Sequence, residues 1–209
     1  MIVPAHNEST RILPVLEAIR ASGAVNELVT VADACTDNTA EIASRFGHVV
    51  EIGAHDKGTA LAAGLELVTT PAVVLIDADL KGLAPEHVTA LATRGPSNGM
   101  LVGIRGLTPW GTRVPTIVGA LPSISGERRV PTAFARRLRL DGAGWRSETL
   151  INAAAARARL PRAHIMLWGV SNTSKVARTP LGWAVELAKV GLVNLELAPE
   201  LARYAAGLN

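Results

Sequence analysis

The sequence predicts an α/β fold: a mixed, mainly parallel sheet flanked by helices. Two observations carry that expectation. Over the first hundred residues, short apolar runs alternate with amphipathic stretches at the spacing of βαβ units. Successive apolar runs also end in polar residues, where open parallel sheets hold their ligands. Size agrees. The 209 residues, 48% hydrophobic and 19% charged, suit a single domain (1–209) with a sizeable core.

Each element has its own warrant. Ile2–Pro4 is a short apolar strand, expected either to be short or to lack preceding residues, because the chain opens almost directly in it. Ile12, Leu13, Leu16 and Ile19 form a helical stripe after polar 7–10. Leu28–Ala32 is β-rich, and Thr36–Phe46 is helical, with Thr36 or Asp37 as its N-cap. Val49–Ile52 is a strand, and Thr59–Val68 is a helix with Leu61, Leu65 and Val68 on one face. Val73–Ile76 is a continuous apolar run ending in Asp77-Ala78-Asp79. Pro85–Thr93 begins with proline, which suits a first helical turn. Met100–Ile104 closes the series. The rhythm then fades: 103–126 reads as loop, Thr132–Arg139 and Glu148–Arg159 as helices, and Ala163–Trp168 as a strand. Leu181–Tyr204 reads as a long helical pattern kinked or divided at Gly191. A seam near residue 105 separates an expected ligand-binding half (1–104) from a second half (105–209).

Composition narrows the function. The single Cys35 excludes an internal disulfide and a cysteine-based zinc site, and a packing role is expected for it. No apolar run reaches the ~20 residues needed to span a bilayer, and no signal peptide precedes the first strand. Cytoplasmic residence is expected, with membrane association left open. The net charge is +3, but it is divided unevenly. Residues 1–100 hold 6 basic and 12 acidic residues, and 101–209 hold 15 and 6. An acidic half suits a metal ion, and a basic half suits an anionic partner.

The strand ends supply the chemistry. Asn7 and Glu8 follow the first run, Asp33 and Asp37 the second, 55–57 the third, and Asp77 and Asp79 the fourth. A spacing of two at a strand end puts both carboxylates of Asp77 and Asp79 on one side. Hard oxygen ligands suit Mg²⁺ or Mn²⁺, which keep several waters and bind substrate phosphates. Lys57 adds a cation for a phosphate, and Gly58 a backbone able to approach one closely. Neither a P-loop nor a complete dinucleotide fingerprint is present.

The ordered segments Pro4-Ala5-His6-Asn7-Glu8, Ala32-Asp33-Ala34-Cys35-Thr36-Asp37-Asn38-Thr39, Asp56-Lys57-Gly58-Thr59-Ala60 and Asp77-Ala78-Asp79-Leu80 resemble a family 2 glycosyltransferase of the GT-A fold. The resemblance is strong over 2–90, weaker over 100–175 and absent beyond. It implies a nucleotide-sugar donor, a UDP- or GDP-sugar. Pro4, Ala5, Asn7 and Glu8 would line the nucleotide, Asp33 would bond the base, and Asp37 would support that loop. Lys57 would lie near ribose or phosphates. Asp77, Ala78 and Asp79 would form the Asp-x-Asp element, with Asp79 the direct metal ligand. His164 is a third candidate ligand.

The second half yields candidates for the acceptor side. An inverting transferase needs a carboxylate base. Glu148, in a segment resembling the family's Gly-aromatic-x-x-Glu, is the first choice, and Glu127 the second. A retaining enzyme would need neither. Arg128, Arg129 and Trp145 are expected to bind the acceptor. Residues 127–162 hold nine Arg and three acids, which suits an anionic acceptor such as a phosphorylated sugar acid, a polyprenyl phosphate or a lipid headgroup. All four Trp follow residue 100, where an acceptor would be recognised. The sequon at 172–174 is read as chance. No recognition motif accompanies the arginines, so no nucleic-acid partner is expected. Peripheral membrane contact and a homodimer stay open. The competing readings are a nucleotidyltransferase of similar fold and an inactive nucleotide-sugar-binding protein. The second is favoured if Glu127 and Glu148 lie far from the donor cleft.

Overall fold

A computed structural model of the chain describes residues 1–106 and 125–172. The expectations on Trp110, Trp183, most of the 103–126 loop, the 181–204 segment, Thr173 and Ser174 of the sequon, and the side chain of Trp145 lie outside what is described.

The elements are β1 (Ile2–Ala5), α1 (Ile12–Ser22), β2 (Val29–Asp33), α2 (Thr39–Ser44), β3 (His48–Ile52), α3 (Lys57–Leu67), β4 (Ala72–Leu75), β5 (Leu80–Lys81), α4 (Pro85–Thr93), β6 (Met100–Gly106), β7 (Arg128–Pro131), α5 (Thr132–Ala135), α6 (Ser147–Arg157), β8 (Arg162–Trp168) and β9 (Ser171–Asn172). A 3-10 turn, Gly144–Arg146, leads into α6. Seven strands form one sheet in the order β3-β2-β1-β4-β7-β6-β8, and β5 pairs with β9 in a two-stranded ribbon. All neighbours in the large sheet are parallel except β7, which is antiparallel to both β4 and β6. The expected seam near residue 105 falls inside β6, in a sheet to which both halves contribute.

Alternation along the strands builds two cores. Val3, Val74 and Ile76 face one side, where Ile12, Val15, Leu16 and Ile19 of α1 and Val88 and Leu91 of α4 cover them. Ile2, Val73, Leu75 and Val130 face the other, against Ala60, Leu61 and Leu65 of α3 and Ile151 and Ala155 of α6. Burial on both faces explains why the strands read as unbroken apolar runs. Gly64 lets α3 close on β1, since a Cβ there would come 2.7 Å from Ile2 Cγ2.

Several expectations shift. The helix read over Thr36–Phe46 starts only at Thr39; neither Thr36 nor Asp37 is its N-cap, and Asn38 takes that position without a side-chain bond. The helix read over Thr132–Arg139 ends at Ala135. Gly58 was expected to bring backbone close to a phosphate. It is buried instead, and a Cβ there would collide with the Leu140 carbonyl oxygen and come 2.9 Å from Ala143 Cβ. The close approach it permits is to the protein itself.

Candidate active site

Three polar loops leave β1, β2 and β3, and each has one non-glycine residue at positive φ: Asn7 at 53°, Ala34 at 49° and His55 at 54°. Such conformations cost free energy and persist where the surroundings fix them. Here the ties are visible. Asn7 Oδ1 accepts the Thr36 N–H at 2.8 Å, and Cys35 Sγ accepts the Asn7 N–H at 3.4 Å. His6 Nδ1 lies 2.7 Å from the Asp33 carbonyl oxygen. Because a carbonyl only accepts, that nitrogen carries a proton. The His6 and His55 rings meet edge-on at 4.2 Å.

Asp33 is turned inward. It is 4% exposed, and its two carboxylate oxygens accept the N–H groups of His55 at 2.7 Å and Asp56 at 2.5 Å. It therefore shapes the loop between β3 and α3. Asp37 accepts the N–H of Ser9 at 3.1 Å and that of Thr39 at 3.0 Å, and also the Thr39 hydroxyl. Burial would raise its pKa, but these hydrogen bonds outweigh burial and bring it from 3.8 to about 2. A depressed carboxylate pKa stabilises the fold above the unfolded value and loses that contribution as pH falls through the folded one. Asp37→Asn is thus expected to lower stability at pH 7, and its cost should shrink as pH falls from about 4 toward 2. Urea unfolding of both proteins across that range checks the sign.

Asp56 caps α3, accepting the Thr59 N–H at 2.7 Å, and so presents Lys57 at the first helical position. Lys57 Nζ donates to Asp77 Oδ1 at 2.7 Å and to Glu148 Oε1 at 2.5 Å. Desolvation alone would lower the Lys57 pKa, but the charges of Asp77 and Glu148 hold it above the ordinary value. Burial likewise opposes ionisation of Asp77, and Lys57 reverses the balance, so Asp77 is held below the usual carboxylate range. Arg105, at the end of β6, lies 3.9 Å from Asp77 Oδ2 and donates to Glu127 Oε1 at 3.3 Å. Glu127 is fully buried and also accepts from the Ser125 hydroxyl at 2.5 Å. Burial, then the charge of Asp77, raise its pKa. One chain of charged contacts thus runs Glu148–Lys57–Asp77–Arg105–Glu127. A small cavity lined by Pro4, Lys57, Asp77, Gly126, Arg128 and Glu148 lies among these groups.

Gly126 makes that packing possible. A Cβ there would lie 2.5 Å from Asp77 Oδ1 and 2.6 Å from its Cγ. Gly126→Ala should lower stability by about 1–3 kcal/mol through overpacking, seen as a lower urea midpoint. An unchanged midpoint would mean that Asp77 can swing away freely.

Asp79 differs from Asp77. Among the described residues no hydrogen bond or ion pair is made to its carboxylate. Burial raises its pKa, and so do the charges of Asp77 and Glu8. A half-buried carboxylate crowded by like charge fits a divalent cation. The described residues contain no group of three or more His, Cys, Asp or Glu able to hold a metal. The chain would therefore supply one or two carboxylates, with donor phosphates and water completing the shell. His164 does not join the pair. It is an exposed residue in the middle of β8, opposite Val102, and β8 is an edge strand of the sheet formed by the described residues.

Other expected positions divide. Glu8 is 4% exposed and forms an ion pair with Arg11. Ala5 and Ala78 are buried and leave only backbone to a ligand. Arg128 and Arg129, expected at an acceptor, are buried strand residues. Arg129 donates to the carbonyls of Ala92 at 3.3 Å and Pro96 at 2.6 Å near the end of α4. Arg128 donates to Ser125, Glu148 and Asn152. Arg136 caps the end of α3 through the carbonyls of Leu65, Glu66 and Val68. Three arginines of the basic run are therefore bound to protein oxygens. Arg105 and Ser125 were missed. The strand-end rule that selected the other positions selects Arg105 too, because it directly follows the apolar run Met100–Ile104.

Residues 1–94 match the family described as glycosyl transferase family 2. No curated protein sequence matches the chain. Among solved structures, glucosyl-3-phosphoglycerate synthase from Mycobacterium tuberculosis, crystallised with Mn²⁺ and UDP-glucose, superposes with a TM-score of 0.71 at 22% identity, over 94% of this chain and 77% of that one. The same enzyme with Mn²⁺, UDP and phosphoglyceric acid gives 0.65 at 22%, over 98% and 77%. A further mycobacterial protein gives 0.70 at 21%, over 98% and 73%. Over its first 94 residues the chain thus bears the signature of glycosyl transferase family 2, and it takes the GT-A fold.

Proposed function

We propose that the protein is a glycosyltransferase that moves a sugar from a nucleoside-diphosphate donor to an anionic, phosphorylated acceptor, with Mg²⁺ or Mn²⁺ held at Asp79 and Asp77. The observation that carries the proposal is the double contact of Lys57. It places Glu148, the first-choice base, one ammonium group away from Asp77. Glu148 and Glu127 far from the donor cleft would favour an inactive binding protein; instead, each is linked to Asp77 through a single cation, which supports the enzyme reading. The structural relatives co-crystallised with Mn²⁺, UDP-glucose and phosphoglyceric acid make UDP-glucose and 3-phosphoglycerate the first compounds to try.

The chain's own groups divide the work. A divalent ion, when bound, would offset the charge that develops on the departing diphosphate. Lys57 lies within reach of the same charge and can exchange Asp77 for a phosphate oxygen. Glu148 accepts a hydrogen bond in the resting protein, and once Lys57 turns to phosphate it is free to take the acceptor hydroxyl's proton. Glu8 is neutralised by Arg11 beneath the first loop.

The test is thermal stabilisation by a panel of nucleoside diphosphates and nucleotide sugars, with and without Mn²⁺. Stabilisation by at least one diphosphate that requires the metal is expected. Its absence across the panel would sink the proposal.

A further inference from the structure

Arg128 occupies a position where the sheet calls for an apolar side chain. It lies in the antiparallel interior strand β7, in register with Leu75 on one side and Val102 on the other, and Val130 two residues on is fully buried core. Arg128 is itself fully buried. Burying a guanidinium among aliphatic neighbours is costly unless its hydrogen bonds are made. They are made, and to particular places. Nε donates to the Ser125 carbonyl at 3.1 Å, and Nη1 donates to the Glu148 carbonyl at 3.2 Å and to Asn152 Oδ1 at 3.0 Å. Asn152 is fully buried too. One side chain thus ties the Ser125–Glu127 segment to the first turns of α6.

Ile151, Ala155 and Ala156 of α6 pack among aliphatic side chains of the core. Hydrophobic contacts are non-directional and tolerate sliding. The Glu148 carboxylate does not: it meets Lys57 at 2.5 Å, and a shift of about an ångström would break that contact. We propose that Arg128, acting with Asn152, is a positioning residue that sets the register of α6 and so holds Glu148 beside Lys57 and Asp77. The catalytic meaning of this placement rests on the glycosyltransferase reading; the placement itself does not.

Acetylation of individual lysines by an amine-reactive ester, followed by mass spectrometry on the full chain, tests it. Lys57 should react slowly in the unaltered protein, guarded by two carboxylates. Arg128→Met should raise its rate roughly tenfold, the effect of losing one charge-assisted hydrogen bond, while exposed Lys81 keeps its rate. Arg128→Lys should restore part of the protection. Asn152→Leu removes the same tie from the other end, should act alike, and serves if Arg128→Met does not fold. Unchanged Lys57 labelling in these variants would overturn the proposal. So would a parallel rise at Lys57 and Lys81, the mark of general loosening. If no nucleoside diphosphate stabilises the protein with Mn²⁺, the enzyme reading fails, yet the labelling still decides where Glu148 is held.

Discussion

Asp79→Ala is expected to erase the metal-dependent stabilisation of the protein by nucleoside diphosphate. A ligand at a hundred times its Kd stabilises by about 2.7 kcal/mol. In a domain of this size each kcal/mol moves Tm by about 2–4 °C. The unaltered protein should therefore gain about 5–10 °C with diphosphate and Mn²⁺ together, and the variant about 1 °C or less. The variant alone should be no less stable than its parent, because Asp79 is a carboxylate crowded by like charge. Asp77→Ala should behave differently. It strips Lys57 and Arg105 of a shared partner, so the protein should lose stability even without ligand. A full metal-dependent shift in Asp79→Ala would place the metal elsewhere.

Glu148→Gln should lower turnover by roughly 10²–10⁴-fold, the usual worth of a positioned base, while donor stabilisation stays. The shape of the side chain is kept and only its charge is lost. Glu127→Gln is the comparison. Glu127 is fully buried and already bound to Arg105 and Ser125, so no acceptor hydroxyl can reach it as it stands. Its replacement should cost far less. If Glu127→Gln were the more damaging of the two, the roles assigned to the two carboxylates would have to be exchanged. Steady-state rates on the donor identified by the stabilisation panel decide the matter.

The first half of the chain was legible because its rules are local. Apolar runs predict β1 to β4, and polar residues at their ends mark the rim where Asp77, Asp79 and Lys57 meet. What the sequence hides there is orientation. Asp33 reads as a residue free to bond a base, yet two backbone N–H groups bind its oxygens, a loop geometry no spacing reveals. The second half was less legible for a physical reason. An Arg-Arg pair reads as surface, and nothing local tells that β7 runs through the middle of the sheet. Its arginines are bound to the adjoining Ser125 carbonyl and to carbonyls from α6 and the end of α4, twenty or more residues away in sequence.

The placement of β7 also separates what can be recognised from what can fold. The family match stops at residue 94, but the sheet does not stop there. On one side of β4 lies β1. On the other lies a strand that the chain contributes only after residue 127. A fragment ending with the recognisable sequence would leave Ala72–Leu75 as a bare, valine-rich edge, open to pairing with any other copy. The segment that carries Arg128 is the one that closes that edge. Recruiting the second half of the site and protecting the first half from self-association are accomplished by the same four residues.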